Sequence, residues 1–330
     1  MNKKKGIILS GMRPTGKLHL GHLVGALENW VKLQDEYKCY FLVADYHVLT
    51  TGFEKSAEIP NNIQEMVCDW LAVGLDPVRS TFLVQSKVPA HCELNLIFSM
   101  ITPMPWVERN PTIKEMIADL DLTGRIHYGL MGYPILQAAD ILLYRADLVP
   151  VGEDQVAHVE MTREIARRFN NLYKPVFPEA RAKLTKISRL PGIDGKKMSK
   201  SLGNCIYISD DDDTVKAKVR QMITDPKKIR RGDPGRPEIC SVYSYHEIFN
   251  KPGTGEIAAG CRSGALGCVE CKGKLAAAIG HQLDPIRSRR RQYEDDPLKV
   301  KELLLQGSRL AAERAAETMA LVREAMGMVY

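Results

Sequence analysis

The sequence predicts an α/β fold, an open parallel sheet followed by a mostly helical region, on three observations. Short apolar runs without alternation recur in the first third, helical stripes separate them, and the last third turns to helical periodicity. Ile7-Ile8-Leu9, Tyr40 to Ala44 and Thr81 to Val84 are the runs, suited to parallel strands covered on both faces. Leu20, Val24, Leu27 and Val31 lie on one helical stripe between the first two, and Ile63, Val67 and Leu71 between the second pair. Two successive strand–helix–strand units place a ligand at the carboxyl ends of the strands.

The following segments depart from that rhythm. Residues 89–132, with a methionine-rich helical stretch and a capping-box pattern at Thr112 and Glu115, read as an insertion within the sheet domain. Ile135 to Tyr144 and Glu153 to Phe169 are helical, and the Gly-, Lys- and Ser-rich stretch Leu190 to Asn204 divides the chain. The acidic run Asp210 to Asp213 suits the positive start of a helix, with Asp210 or a neighbour as its cap. Asp225 to Gly264 reads as loop, and Leu298 to Met326 as a long helix. The boundaries expected are 1–204 for the sheet domain and 205–330 for an all-helical one, which 330 residues accommodate.

Composition narrows the class. Apolar residues at 45% and charged residues at 26% exclude a disordered chain. No run approaches the roughly 18 apolar residues of a membrane span. The basic start, Met1 to Gly6, leads into an apolar run that breaks at Ser10-Gly11, too early for a secretory signal, so a cytoplasmic location is expected. A net charge of +6 permits a polyanionic partner without requiring one.

Two segments carry chemistry. Gly11-Met12-Arg13-Pro14-Thr15-Gly16 leaves the first strand and His19-Leu20-Gly21-His22 enters the first helix. Its glycines permit close ligand approach, and a helix start offers free N–H groups to an anion. Neither the dinucleotide fingerprint nor the P-loop spacing is met. His19 and His22 face the same way, and Gly21 leaves room for a flat ring. About 175 residues later, Lys197-Met198-Ser199-Lys200-Ser201 sits in a glycine-flanked loop able to close on a polyphosphate.

Together these segments resemble the two signature motifs of the class I aminoacyl-tRNA synthetases. The resemblance implies a Rossmann-like catalytic domain and ATP-dependent activation of an amino acid, whose carboxylate attacks the α-phosphate and releases pyrophosphate. Carried onto this chain, catalysis falls to Lys200, Lys197, His19 and His22, with Mg²⁺ offsetting phosphate charge. Met12, Arg13, Thr15, Gly21, His22, Gly152, Asp154, Lys197, Met198 and Ser199 are the expected ATP contacts.

Tyr133 to Tyr144 is an apolar helix carrying Gln137 and Asp140 on one face, and a carboxylate there is costly to bury without donors. Ala138-Ala139-Asp140 with Gly152-Glu153-Asp154-Gln155, and Asp45-Tyr46-His47, resemble the tryptophanyl branch of the family, in its bacterial form. Indole has one donor and no acceptor. An ionised Asp140 would pair with that N–H in a pocket formed partly by Val149 and Val151, with His47, Gln137 and Gln155 near the substrate. Gln137 departs from the methionine common in that branch and is common in the tyrosyl one, so tyrosine stays open as the substrate. A noncatalytic RNA-binding paralogue and a nucleotidyltransferase that uses no tRNA are the remaining alternatives.

Eight cysteines divide into a dispersed set and a gathered one, Cys240, Cys261, Cys268 and Cys271, spaced C-x20-C-x6-C-x2-C. Four thiolates without histidine suit Zn²⁺ or an iron–sulfur cluster. The resemblance extends to a subgroup with a four-cysteine [4Fe–4S] site, which is the expectation here, with Zn²⁺ as the alternative. Lys227, Lys228, Arg230 and Arg231, then Arg287, Arg289, Arg290 and Arg291, flank it as concentrations of charge suited to RNA phosphates. Tyr243 and Tyr245 are candidate stacking platforms or core residues. The partners implied are L-tryptophan, ATP, tRNA(Trp) and a second copy of the chain in a homodimer, with no membrane.

Overall fold

The computed structural model describes residues 4–119, 124, 126–184 and 190–329. Five parallel strands, β1 (Ile7–Met12), β2 (Lys38–Val43), β3 (Ser80–Val84), β4 (Leu148–Val151) and β5 (Arg181–Leu184), lie in the order β3-β2-β1-β4-β5. The three predicted runs are β1, β2 and β3. β4 and β5 escaped prediction because Pro150 interrupts one and the other is a half-exposed edge. Pro150 is tolerated because β4 pairs with β1 only at Leu148, so its missing N–H breaks no ladder on that side. The chain switches direction across the sheet at β1, and the crevice beyond the ends of β1 and β4 is where such a sheet binds ligands.

The helix that follows β1 runs from Leu20 to Glu36 through a π-helical stretch, Leu23–Leu27, of the kind frequent at functional sites. Between β3 and β4 come the Ala90–Ile101, Met104–Glu108 and Pro111–Asp119 helices and then Tyr128–Leu143. The predicted insertion covers the first three, apart from residues outside the described ones. Its third helix starts one residue early, and Asn110 Oδ1 accepts the Thr112 N–H at 3.1 Å, so the cap is Asn110. Downstream, Asp211 caps Asp212–Gln221 through the Thr214 N–H.

The expected loop between Asp225 and Gly264 is corrected. It contains two helices, Ser241–Phe249, which buries Val242, Tyr245 and Phe249, and Thr254–Ser263, which buries Ile257 and Ala258. Proline and glycine mark the connections between these short helices rather than their interiors. Cys268–Glu294 and Pro297–Ala325 follow. One buried apolar cluster runs from Phe41 and Trp70 through Ile208 and Val215 to Leu275, Ile279 and Leu283, so sheet and helical regions share a core. No described helix is long and apolar enough to cross a membrane.

The last helix returns to the sheet. At Gly307 an added Cβ would lie 1.9 Å from the Phe82 carbonyl, and Ser308 Oγ accepts the Val84 N–H at 3.0 Å, closing the β3 edge. Within the second basic cluster, Arg287 and Arg290 are drawn into contacts inside the fold, while Arg289 and Arg291 stay exposed. Arg290 is 2% exposed and donates to Asp69 (2.7 Å) and Glu65 (2.6 Å). Arg287 binds Asp212 and the Asp210 carbonyl, and Arg289 the Ala72 carbonyl. Lys228 is buried on the Asp233 carbonyl, and Tyr245, also buried, donates to Pro191 O at 2.6 Å. Lys227, Arg230, Arg231 and Arg291 stay exposed.

Candidate active site

The two sequence signatures meet. Lys200 Nζ donates to Thr15 O and Thr15 Oγ1, both at 3.0 Å, and to Gly16 O at 3.1 Å. The backbone joins them too: Leu20 N–H donates to Ile206 O and Ile208 N–H to Leu18 O, each at 2.9 Å. Asn204 organises the second loop, taking the Ser199 N–H at 2.8 Å and donating to Asp194 and to the Lys197 carbonyl. The Met198 sulfur lies 3.6 Å from where a Cβ on Gly21 would stand, and the His19 ring 3.0 Å, so only glycine fits there without displacement.

His19 and His22 lie with ring centroids 3.8 Å apart, and His22 Nδ1 accepts the His19 N–H. Burial, then neighbouring positive charge, drops their pKa values to about 4 and about 3, so both rings are neutral at pH 7. Their contribution is hydrogen bonding rather than cationic charge. Burial lowers Lys200 to about 8. Held on carbonyl oxygens, it is a cation short of a counter-charge at the mouth of the crevice.

Beyond the ends of β1 and β4 lies a cavity of about 400 Å³. Met12 and Arg13 line it after β1, Gly25 and Ala26 from the π turn, and Val149, Val151, Gly152 and Gln155 from β4 onward. His47, Tyr133, Gln137 and Asp140 complete the wall. Arg13 donates to Thr51 Oγ1, while its buried Nε has no partner among the described residues. Asp140 is 2% exposed yet fully partnered: His91 Nδ1 (2.6 Å) and Gln85 Nε2 (2.8 Å) on Oδ1, His47 Nε2 (2.9 Å) on Oδ2. Burial alone would raise its pKa, but the two histidines and their hydrogen bonds hold the carboxyl below its ordinary range.

A strand–turn–helix start, a distant lysine loop folded onto it and an apolar cavity beneath have a counterpart among known proteins. Residues 1–284 match the family model for class I tRNA synthetases (W and Y). The chain belongs to that family. It is 48% identical to the tryptophan–tRNA ligase of Thermotoga maritima, across 98% of this chain and 99% of that one. It is 44% identical to the Aquifex aeolicus tryptophan–tRNA ligase, across 97% and 99%. The Campylobacter jejuni tryptophanyl-tRNA synthetase, solved with ADP and tryptophan, superposes with a TM-score of 0.87 at 31% identity, covering 97% of this chain and 99% of that one.

Within this class I framework most predicted site residues converge. His19, His22, Gly21, Thr15, Met198, Ser199 and Lys200 gather at the motif junction, and Met12, Arg13, Gly152, His47, Gln137, Asp140, Val149, Val151 and Gln155 at the cavity. Lys197 is exposed and is not brought to the turn. The Asp154 side chain lies outside the described residues. One expectation is corrected: Asp140 is not a vacant acceptor awaiting a ligand, because three side chains already satisfy it. Gln85, His91 and Asn204 went unnoticed in sequence. A polar residue at a strand end (Gln85) and a histidine buried in an apolar helix (His91) were the available signals.

The four gathered cysteines share one neighbourhood. Burial, reinforced by Cys240, Cys261 and Cys268, raises the Cys271 thiol to about 12, and burial raises Cys261 also. Cys271 Sγ lies 3.4 Å from His246 Nε2. Among the described residues, however, no three His, Cys, Asp or Glu side chains form a group able to hold a metal. The expected four-cysteine metal site is therefore not shown by the described residues.

Proposed function

We propose that the chain joins L-tryptophan and ATP into tryptophanyl-adenylate and transfers tryptophan to tRNA(Trp). The observation that carries this is Lys200 resting on Thr15 and Gly16 beside a cavity whose floor is Asp140. A triphosphate entering the crevice replaces three weak carbonyl and hydroxyl acceptors with phosphate oxygens, and Lys200 follows them. Charge grows on the α-phosphate and on departing pyrophosphate, so a cation aimed there lowers the barrier more than it tightens ground-state binding. Neutral His19 and His22 donate to the phosphates, and the partnerless Arg13 Nε–H offers a further donor at the cavity edge. Gly152 and Asp154 complete the nucleotide site, and Lys197, exposed on the same loop as Lys200, joins them only when that loop closes on the phosphates. Mg²⁺ arrives with the phosphates and offsets their charge.

The substrate's ring enters between Val149, Val151 and the π-turn glycine, with its donor toward Asp140 and its ammonium toward Gln155, Gln137 and Tyr133. A ring without a donor that displaces His47 from Asp140 leaves the carboxylate one partner short, at a cost of roughly 1–3 kcal/mol or more. A homodimer fits the apolar surface at Leu96, Met100, Met104 and Tyr128, each more than half exposed. The four cysteines would hold a [4Fe–4S] cluster, or Zn²⁺ in its place. Such a centre would brace the helix start at Cys268 and the neighbouring segment that carries Lys227, Arg230 and Arg231 toward RNA. Iron and sulfide assays on anaerobically purified protein decide between the two metals. Aminoacylation with purified tRNA(Trp) tests the function; adenylate formation without charging would instead favour a nucleotidyltransferase.

A further inference from the structure

Asp140 has a front and a back. Its front lines the cavity beside His47. Behind the wall stand Gln85, His91 and Tyr144, all with 0% exposure. A buried carboxylate persists only where donors replace water, and here most of them come from behind.

The protons can be assigned by counting. Asp140 is ionised and acceptor-only, so His91 Nδ1 must donate to Oδ1 across 2.6 Å. The other ring nitrogen, His91 Nε2, lies 2.8 Å from the Tyr144 hydroxyl, which has no other hydrogen-bond partner among the described residues. A doubly protonated His91 would leave the Tyr144 proton unspent in the core. The satisfied arrangement is a neutral imidazole, Tyr144 O–H donating to Nε2 and Nδ1–H donating to Asp140. Stacking on Tyr40, with centroids 4.7 Å apart, holds the Tyr144 ring in place. Gln85 is fixed likewise: its Oε1 accepts the Tyr46 N–H at 3.1 Å, which turns its Nε2 toward both Asp140 oxygens.

We infer that His91, locked as the Nδ1–H tautomer by Tyr144, and Gln85 are positioning residues for amino-acid selection. They form a permanent clamp on the back of Asp140. His47, on the cavity wall, is the exchangeable donor whose place the ligand's N–H takes. Selectivity then depends on residues that never touch the substrate. This rests on reading the cavity as the tryptophan site, but the tautomer does not.

Two measurements separate the two claims. In ¹⁵N-histidine-labelled, ligand-free protein, long-range ¹H–¹⁵N spectra should show His91 neutral and protonated at Nδ1, with Tyr144→Phe releasing it into a tautomer mixture. An Nε2–H or doubly protonated His91 in the unmodified protein overturns the clamp whatever the substrate. In pyrophosphate exchange, His91→Leu should raise the tryptophan KM at least about tenfold, and erode preference over tyrosine, with ATP KM held within about twofold. His91→Asn, whose amide can occupy the Nδ1 position, should recover most of that loss. Tyr144→Phe, the mildest change, should raise the tryptophan KM roughly three- to tenfold. Equal loss in ATP and tryptophan parameters, or no change in Tyr144→Phe, overturns the positioning role. An unmodified protein that activates no tryptophan sinks the substrate reading and leaves the tautomer result standing.

Discussion

Replacing Arg290 with methionine is the sharpest test of how the helical region supports the site. Arg290 sits near the end of Cys268–Glu294, and its guanidinium reaches Asp69, at 0% exposure, on the Ile59–Val73 helix. Asp69 spends its other oxygen on the Leu18 N–H at 2.7 Å, just ahead of His19. One carboxylate therefore ties the helical region to the backbone that enters the first motif. Methionine keeps the stem's packing and removes the charge, leaving Asp69 buried beside nothing positive at that distance. Breaking a buried pair in this way costs about 3–5 kcal/mol. With a urea slope of about 3 kcal/mol/M, the unfolding midpoint should fall by about 1–1.7 M. The double change Asp69→Asn with Arg290→Met removes both charges while an amide oxygen still accepts from Leu18, so it should recover half or more of that loss. The ATP KM should rise in the single variant as the motif backbone loosens. An unmoved midpoint, or a double variant less stable than the single one, would show that Arg290 and Asp69 do not stabilise the fold as a pair.

Other expectations concern the site directly. Lys200→Ala should cut adenylate formation by roughly 10²–10³ while tryptophan binding changes little, since the charge it meets develops during reaction; equal losses would remove its role. Because burial holds Lys200 near 8, kcat/KM for ATP should decline as pH rises through that value; a flat profile to pH 9.5 contradicts this. His19 and His22 are depressed to about 4 and 3, so the unfolded chain binds more protons below about 6.5. Stability should therefore be lost progressively as pH falls from 6.5 toward 3, and His22→Asn should flatten that part of the curve. Asp140→Asn should narrow the preference for tryptophan over tyrosine in competition assays, and unchanged selectivity would sink the pairing. Cys268→Ser should abolish metal retention, read by iron or zinc assay, with adenylate formation largely kept.

Much of this was legible in the chain, and the gaps have physical causes. Ile7–Met12, Lys38–Val43 and Ser80–Val84 announce themselves because a strand covered on both faces must be apolar throughout. Arg181–Leu184 does not, because an edge strand faces water. The motif residues could be found because each is tied to a local turn or helix start. Gln85 and His91 could not, since their role exists only once β3's end and the Ala90–Ile101 helix lie against Asp140. Arg287 and Arg290 misled for a similar reason: charge density along a helix says nothing about which face is buried. The segment around Ser241–Phe249 looked like loop because short helices separated by proline and glycine carry little periodicity.

We propose that the loop at Lys200 and the turn at Thr15 serve one triphosphate above a cavity selective for an indole. Amino-acid-dependent ATP–pyrophosphate exchange, run on the full chain with each of the twenty amino acids, separates this arrangement from its alternatives. Exchange should appear with tryptophan, be far weaker with tyrosine and be lost in Lys200→Ala. Exchange driven by tyrosine alone, or by tryptophan with Lys200→Ala unimpaired, would contradict it.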